Sequence, residues 1–426
     1  MRTLLIIRQL PWPLDKSGGG QRNSLLWEAP RRLGEVCVVV ATPRTAISSS
    51  QVQEAGGEET RTDGLQRIHY EPGREAGMFR VLQVVLRGDL RRVAKNLAIC
   101  NADFSLPDED CSKQLRTIVR DFQPDLLVCR YLRCAVATGA AFLSRIPVVL
   151  DFDDIDWRVY ASHGEQIATG GIAELLHHKF YGWYLERNGR RSLRHFAHVW
   201  VASEEDKQVL GNRTCSVLPN VPVLPSREGR RSPETKGQEP TILFVGVLTH
   251  NPNREGLERF LDRVWPRVRD AEPEVKLRVV GTLPDDGGRW ETRWRQVANV
   301  EILGHVEDLS LEYERALFTI APVYWGGGTK IKVLESLGRA KTCVVTPHAL
   351  YGVGAYIRHG DSVLCAASDA ECVEACLKLV RSECLRQNLA TRGEEVIREH
   401  FSVTRFNDAV EQVVARFAGK QQNVRA

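Results

Sequence analysis

No run of apolar side chains in the 426 residues approaches the ~18 that a membrane-spanning helix requires; stretches such as Val36 to Ala41 are far shorter. Arg8 interrupts the apolar opening MRTLLIIRQLPWP, which is too short for a leader and reads as a buried first strand. The 11 cysteines, an odd number, contain no Cys-x-x-Cys pair, and Cys372 and Cys376 have no histidine at zinc-like spacing. They read as reduced, buried thiols of a cytoplasmic protein, without a metal. An excess of one charge is lacking too. Lys+Arg 58 against Asp+Glu 54 leaves +4, without the basic bias of a nucleic-acid binder. With 43% hydrophobic and 26% charged residues, wholesale disorder is excluded. No P-loop is present, since Thr329 precedes Lys330 rather than following it, and no G-x-G-x-x-G follows the first strand.

What is present is alternation. Short β-branched or apolar runs alternate with helical spacing through residues 1–220 and again through 241–403. Between them lies 221–240, with four prolines, two glycines and many charges, which reads as a linker. A last helix near 404–418, within 404–426, is expected to cross back to the first block. Two such blocks imply an α/β protein of two doubly wound, Rossmann-like domains facing across a cleft. Ligands of such sheets bind beyond the carboxyl ends of the strands. The loops to inspect are therefore 8–20, 151–157, 246–253, 281–288, 303–307 and 322–330.

The densest motif is Pro322-Val323-Tyr324-Trp325-Gly326-Gly327-Gly328-Thr329-Lys330, running into a helix that carries Lys332 and Glu335. Glycines allow backbone N–H groups close to an anion, the helix start adds partial positive charge, and Lys330 adds a full one. Glu335 suits the two hydroxyls of a ribose. A nucleoside diphosphate fits this pattern. Gly18-Gly19-Gly20 forms a second glycine cluster between the first strand and the first helix, read as a loop that could approach the donor phosphate or sugar from the opposite side.

Taken together, these residues resemble glycosyltransferase family 4 of the GT-B fold, the glycosyl transferases group 1. The resemblance rests on Pro11 through Val40, Leu218-Pro219-Asn220, Leu243-Phe244-Val245-Gly246 with Asn251-Pro252-Asn253, Val279-Val280-Gly281, Leu303-Gly304-His305-Val306 and Pro322 through Glu335. It implies a retaining transferase that moves a sugar from a nucleotide-diphosphate-sugar to a hydroxyl acceptor, in polysaccharide or glycoconjugate biosynthesis. The donor would be a UDP- or GDP-sugar co-substrate, with no separate cofactor. Carried over by position, the resemblance places Glu335 at the ribose and Gly328, Thr329 and Lys330 at the diphosphate. It places His305 and Val306 at the base and Gly246 under the phosphates. Gly327 stands where the family's Glu–seven residues–Glu motif has its first Glu. Val247 stands where a basic residue often follows the glycine.

The cluster Asp151-Phe152-Asp153-Asp154-Ile155-Asp156 ends a strand of the first block. Asp153 falls where many relatives place a histidine that contacts the sugar or acceptor, so Asp153 or Asp151 is a candidate to orient a hydroxyl. A divalent-cation site on Asp151 and Asp153 is the rival reading, and helix capping a third. Mutual repulsion is expected to raise one of these carboxyl pKa values. Two basic stretches, 78–98 and 186–194, read either as solvated helix faces or as contacts for an anionic membrane surface and a lipid-linked acceptor. A nucleotide-sugar epimerase using Asp151 and Asp153 as an acid pair, and a noncatalytic nucleotide-sugar-binding partner, are the alternative functions.

Overall fold

A computed structural model describes residues 1–10, 18–43, 65–70, 107–166, 172–211, 214–224 and 239–418. The basic stretch 78–98 and most of the linker lie outside the described residues. The chain divides into two compact units. Unit 1 comprises Met1–Pro219 with Phe406–Ala426, and unit 2 comprises Asn220–Arg405.

Unit 1 is built on strands β1 (Arg2–Ile7), β2 (Glu35–Pro43), β3 (Leu65–Tyr70), β4 (Leu126–Arg130), β5 (Val148–Phe152), β6 (His198–Val201) and β7 (Cys215–Val217). They form one parallel sheet in the order β3-β2-β1-β4-β5-β6-β7. Its described helices are α1 (Gly18–Arg31), α2 (Glu109–Phe122), α3 (Leu132–Ala137), α4 (Asp156–Gln166), α5 (Ile172–Ser192) and α6 (Glu204–Leu210). Both faces of this sheet are covered, so its central strands are apolar at successive positions: Leu4, Leu5, Ile6 and Ile7 are all fully buried.

Unit 2 repeats the plan. Strands β8 (Thr241–Val245), β9 (Lys276–Val280), β10 (Val300–Gly304), β11 (Ala316–Ala321), β12 (Cys343–Val345) and β13 (Leu364–Cys365) pair in parallel in the order β10-β9-β8-β11-β12-β13. Helices α7 (Asn251–Arg263), α8 (Trp265–Ala271), α9 (Arg289–Arg295), α10 (Ser310–Arg315), α11 (Ile331–Gly338), α12 (Asp369–Arg381) and α13 (Glu383–His400) complete it. The doubly wound architecture implied by the alternation is thus present twice. In both sheets the strand order reverses beside the first strand, between β1 and β4 and between β8 and β11. The loops after those strands are where a ligand crevice forms.

Several local expectations are corrected. The triple glycine is the first turn of α1 rather than a loop before it. The helical stretch after β8 is divided into two, α7 and α8, with Pro266 in the first turn of the second, where its missing N–H costs nothing. Ser382 ends α12 and accepts a hydrogen bond from the Leu385 N–H to start α13. Gly139, at φ +78, stops α3 six residues after it begins, and a 3-10 turn over Ala140–Phe142 follows.

The final helix α14 (Val403–Ala418) lies mostly in unit 1. Phe406, Val410, Val413 and Val414 form its buried stripe, and the Arg22 guanidinium sits 5.6 Å from the centre of the Phe406 ring. Replacing a fully buried aromatic leaves a cavity. Phe406→Ala is therefore expected to cost unit 1 about 3–5 kcal/mol in urea unfolding; a loss below about 1 kcal/mol would contradict this docking of α14.

Candidate functional site

In unit 1 the C-terminal ends of β4 and β5 meet the first turns of α1. Arg22, from α1, donates from Nε to Asp151 Oδ2 at 2.8 Å and from Nη2 to Asp151 Oδ1 at 2.5 Å. Its Nη1 donates to the Leu218 carbonyl at 3.0 Å. Arg130, the last residue of β4, donates to Asp153 Oδ2, the Gly19 carbonyl and Asn23 Oδ1, each at 2.6 Å. All four charged side chains are buried. A buried charge is tolerated only when paired, and here two arginines balance two aspartates. The network fixes the glycine-rich start of α1 to the strand ends through Gly19.

This reverses the expected electrostatics of the acidic cluster. Burial would raise the Asp153 pKa, but Arg130 and Arg22 outweigh it and hold the carboxyl below its ordinary range. Both Asp151 oxygens are occupied by Arg22, and the residue is fully enclosed. Asp153 differs: its Oδ1 is shut off from solvent and has no hydrogen-bond partner. Among the described residues no group of three or more His, Cys, Asp or Glu side chains could hold a metal ion. Asp156 begins α4, and Arg133 pairs with it at 3.0 Å. The backbone of Tyr131, directly after Arg130, has φ +69, a costly conformation for a residue other than glycine, held at the point where the strand order reverses.

In unit 2 three glycines lie at adjacent strand ends. The Gly246 N–H donates to the Val280 carbonyl at 2.9 Å, and the Gly281 N–H to the Gly304 carbonyl at 2.8 Å. A side chain on Gly281 would strike the Gly246 carbonyl at 1.8 Å, so these loops sit closer together than any other residue type permits. His305 is exposed, while Val306 is partly buried and packs against the small apolar cluster that contains Leu243, Val280, Leu309, Tyr313 and Ala316.

The turn after β11 is held from both sides. Trp325 donates to Glu255 at 2.9 Å, and the Arg259 guanidinium lies 4.3 Å from the centre of the Tyr324 ring. Both partners come from α7. Gly326 at φ +107 and Gly328 at φ +60 take backbone conformations that favour glycine. Lys330 caps the start of α11 and folds back over its own turn. Its Nζ donates to the Gly327 carbonyl at 2.5 Å and the Gly328 carbonyl at 2.8 Å, with the Gly326 carbonyl at 3.5 Å. The turn therefore directs carbonyls at the lysine, where amides directed at an anion were expected. The Thr329 Oγ1, between them in sequence, is shielded from solvent with no hydrogen-bond partner. Glu335, buried on α11, pairs with Arg339 at 3.3 Å.

Two histidines that sequence reasoning missed join this cluster. His348 is bonded through Nε2 to the Gly326 carbonyl at 2.9 Å, and burial with the nearby Lys330 lowers its pKa. His250 precedes α7; desolvation, Lys332 and Lys330 lower its pKa too. Their positions in loops just past β12 and β8 were the available signal.

Comparison with known proteins follows the same division. Residues 239–382 match the family model for glycosyl transferases group 1. A curated relative from Klebsiella pneumoniae, an uncharacterized 44.6 kDa protein in the cps region, is 25% identical over 130 residues, or 29% of this chain. The match spans a third of that relative's own length (33%). Among solved structures, sucrose-phosphate synthase from Thermosynechococcus elongatus superposes with a TM-score of 0.65 at 13% identity, covering 99% of this chain and 100% of the other. Anabaena HepE in complex with UDP and glucose gives 0.61 at 13% identity, covering 97% and 99%. TarM gives 0.61 at 9% identity, covering 98% of each. The fold is GT-B, two Rossmann-like domains, and the match to the glycosyl transferases group 1 model lies within unit 2.

The ionised Asp153 contributes stability that is fully present above its ordinary value of 3.8. That contribution is lost as pH falls through the lower folded value. Asp153→Asn should therefore be less stable than wild type at neutral pH but lose less on acidification below about pH 4. Parallel acid limbs in urea unfolding would show that the carboxylate is not held in this way.

Proposed function

We propose that the chain is a retaining glycosyltransferase that moves a sugar from a nucleotide-diphosphate-sugar to a hydroxyl acceptor. The observation that carries this reading is the glycine turn at the start of α11. An ammonium group rests there on neutral carbonyls, next to an orphaned threonine hydroxyl. Lys330 can exchange carbonyl partners for phosphate oxygens, and Thr329 Oγ1 gains its missing partner from the same group. A charge-assisted hydrogen bond to phosphate is stronger than one to a neutral carbonyl. Glu335 on the same helix takes the ribose, Gly246 lies under the phosphates, and the Gly304–Val306 loop takes the base.

During transfer the bond from the anomeric carbon to the diphosphate breaks, and negative charge collects on the leaving oxygen. Lys330 and the start of α11 stabilise that charge as preorganised groups. The acceptor hydroxyl oxygen bonds to the anomeric carbon on the same face, and its proton passes to the leaving phosphate, so no separate protein base is needed. In unit 1, Asp153 Oδ1 is the free acceptor for a sugar or acceptor hydroxyl, while Asp151 and the two arginines position it. An ionised Asp153 cannot serve as an acid, and Asp151 is fully paired. Both facts favour transfer over the epimerase reading.

The UDP complex of the Anabaena neighbour supports a UDP-sugar donor, with a GDP-sugar as the other choice. The cps-region relative supports a place in polysaccharide or glycoconjugate formation. For a lipid-linked acceptor the chain would work in the cytoplasm at the inner membrane face. No helix among the described residues is long and apolar enough to cross a membrane. Trp183, 54% exposed on α5 with Arg187 5.5 Å from its ring centre, supplies an amphipathic surface for such contact.

Lys330→Ala is expected to lower turnover of the nucleotide-sugar donor by about 100-fold or more, the cost of removing one preorganised charge-stabilising group. Its melting temperature should stay within a few degrees of wild type. Turnover within about threefold of wild type would remove Lys330 from the mechanism.

A further inference from the structure

The family pattern places a basic residue directly after the first glycine of the donor domain, and this chain has Val247 there. Another cation lies close to Gly246. Lys332, on the first turn of α11, reaches back to the end of β8. Its Nζ donates to Asn253 Oδ1 at 2.7 Å and lies 4.8 Å from the centre of the Phe244 ring. A side chain at Gly246 would come within 2.8 Å of this ammonium, 3.1 Å of the Phe244 ring and 3.3 Å of Asn253 Nδ2. Gly246 therefore leaves the pocket that the lysine occupies. No carboxylate among the described residues lies within ion-pair distance of Lys332. Its surroundings are an amide oxygen, an aromatic face, Lys330 at the start of the same helix and His250 at the start of α7.

We propose that Lys332 is the second cation of the diphosphate site, supplied from α11 in place of the missing residue after Gly246, and that donor binding at this site takes up a proton. The inference rests on the donor-site reading above. A half-buried ammonium without a counter-ion is costly, and an arriving diphosphate supplies the missing charge. Burial is the main cause that pulls the Lys332 pKa down to about 7, with Lys330 adding to it and the Cys343 thiol opposing it. Cys343 itself is pushed up to about 12 and so stays neutral. His250 and His348 are both held below their ordinary 6.5, by burial first and by the neighbouring lysines. A bound dianion raises the Lys332 pKa. Binding is then strongest at and below pH 7 and weakens as pH rises from the free toward the bound value.

The test is calorimetric titration of UDP-glucose and GDP-mannose, probes whose diester phosphates keep a fixed charge across this range, between pH 6.5 and 8.5. Wild type is expected to lose affinity by up to about tenfold per pH unit above pH 7, with heats that depend on the ionisation enthalpy of the buffer. Lys332→Arg, which stays charged, should bind with little pH dependence. Lys332→Met should bind at least about tenfold more weakly at pH 6.5, without pH dependence, while melting at or above the wild-type temperature because an uncompensated charge has been removed. Lys332→Met with wild-type affinity and pH slope would overturn the inference and leave the donor site standing. Failure of wild type to bind either probe would overturn the donor-site reading and this inference with it.

Discussion

Charge compensation at the strand ends governs both units, and they meet it in opposite ways. In unit 1, Arg22 and Arg130 meet Asp151 and Asp153 in a closed network with burial on every side. In unit 2, Lys330 rests on carbonyls and Lys332 on an amide oxygen, with His250 and His348 beside them in neutral form. The first arrangement balances two arginines against two aspartates and ties the start of α1 to the strand ends. In the second, Lys332 has no carboxylate within ion-pair distance among the described residues, a charge that on the reading proposed above a dianionic ligand would balance.

This contrast gives the orphaned atoms their meaning. Native proteins rarely leave a buried polar atom without a partner, because each one costs free energy on folding. Asp153 Oδ1 and Thr329 Oγ1 are two such atoms, and each stands beside the charged group that its unit presents at the strand ends. A carboxylate oxygen can accept from a hydroxyl, whereas a threonine hydroxyl can donate to a phosphate oxygen.

Much of the fold was legible in the sequence because parallel sheets are buried on both faces. Leu4 to Ile7, Leu126 to Cys129 and Ile242 to Val245 read as strands without any knowledge of their neighbours. Edge strand β3, Leu65–Tyr70, did not, since its Leu-Gln-Arg-Ile-His-Tyr pattern is largely polar and only Ile68 among its described side chains is buried. The division of the second block's helices at Pro266 and Ser382 was marked by residues whose role depends on the surrounding turn. At the site, the glycine turn with Lys330 and Glu335 was visible because it is local. The partners that decide its electrostatics were not. Arg22 lies 129 residues from Asp151, and Lys332 lies 79 from Asn253. Only the return of the chain to the strand ends joins them. The same blindness led four neighbouring carboxylates to suggest a raised pKa, when distant arginines lower it.

Thermal unfolding of the intact chain with a nucleoside diphosphate, against the corresponding nucleoside monophosphate, tests the diphosphate site directly. A ligand that binds only the folded state stabilises it by about 2.7 kcal/mol at a hundredfold excess over its Kd. UDP or GDP is expected to raise the melting temperature in proportion to the logarithm of its concentration, with the monophosphate much weaker. Equal shifts from mono- and diphosphate, or no shift from either nucleotide, would contradict a diphosphate site at the start of α11.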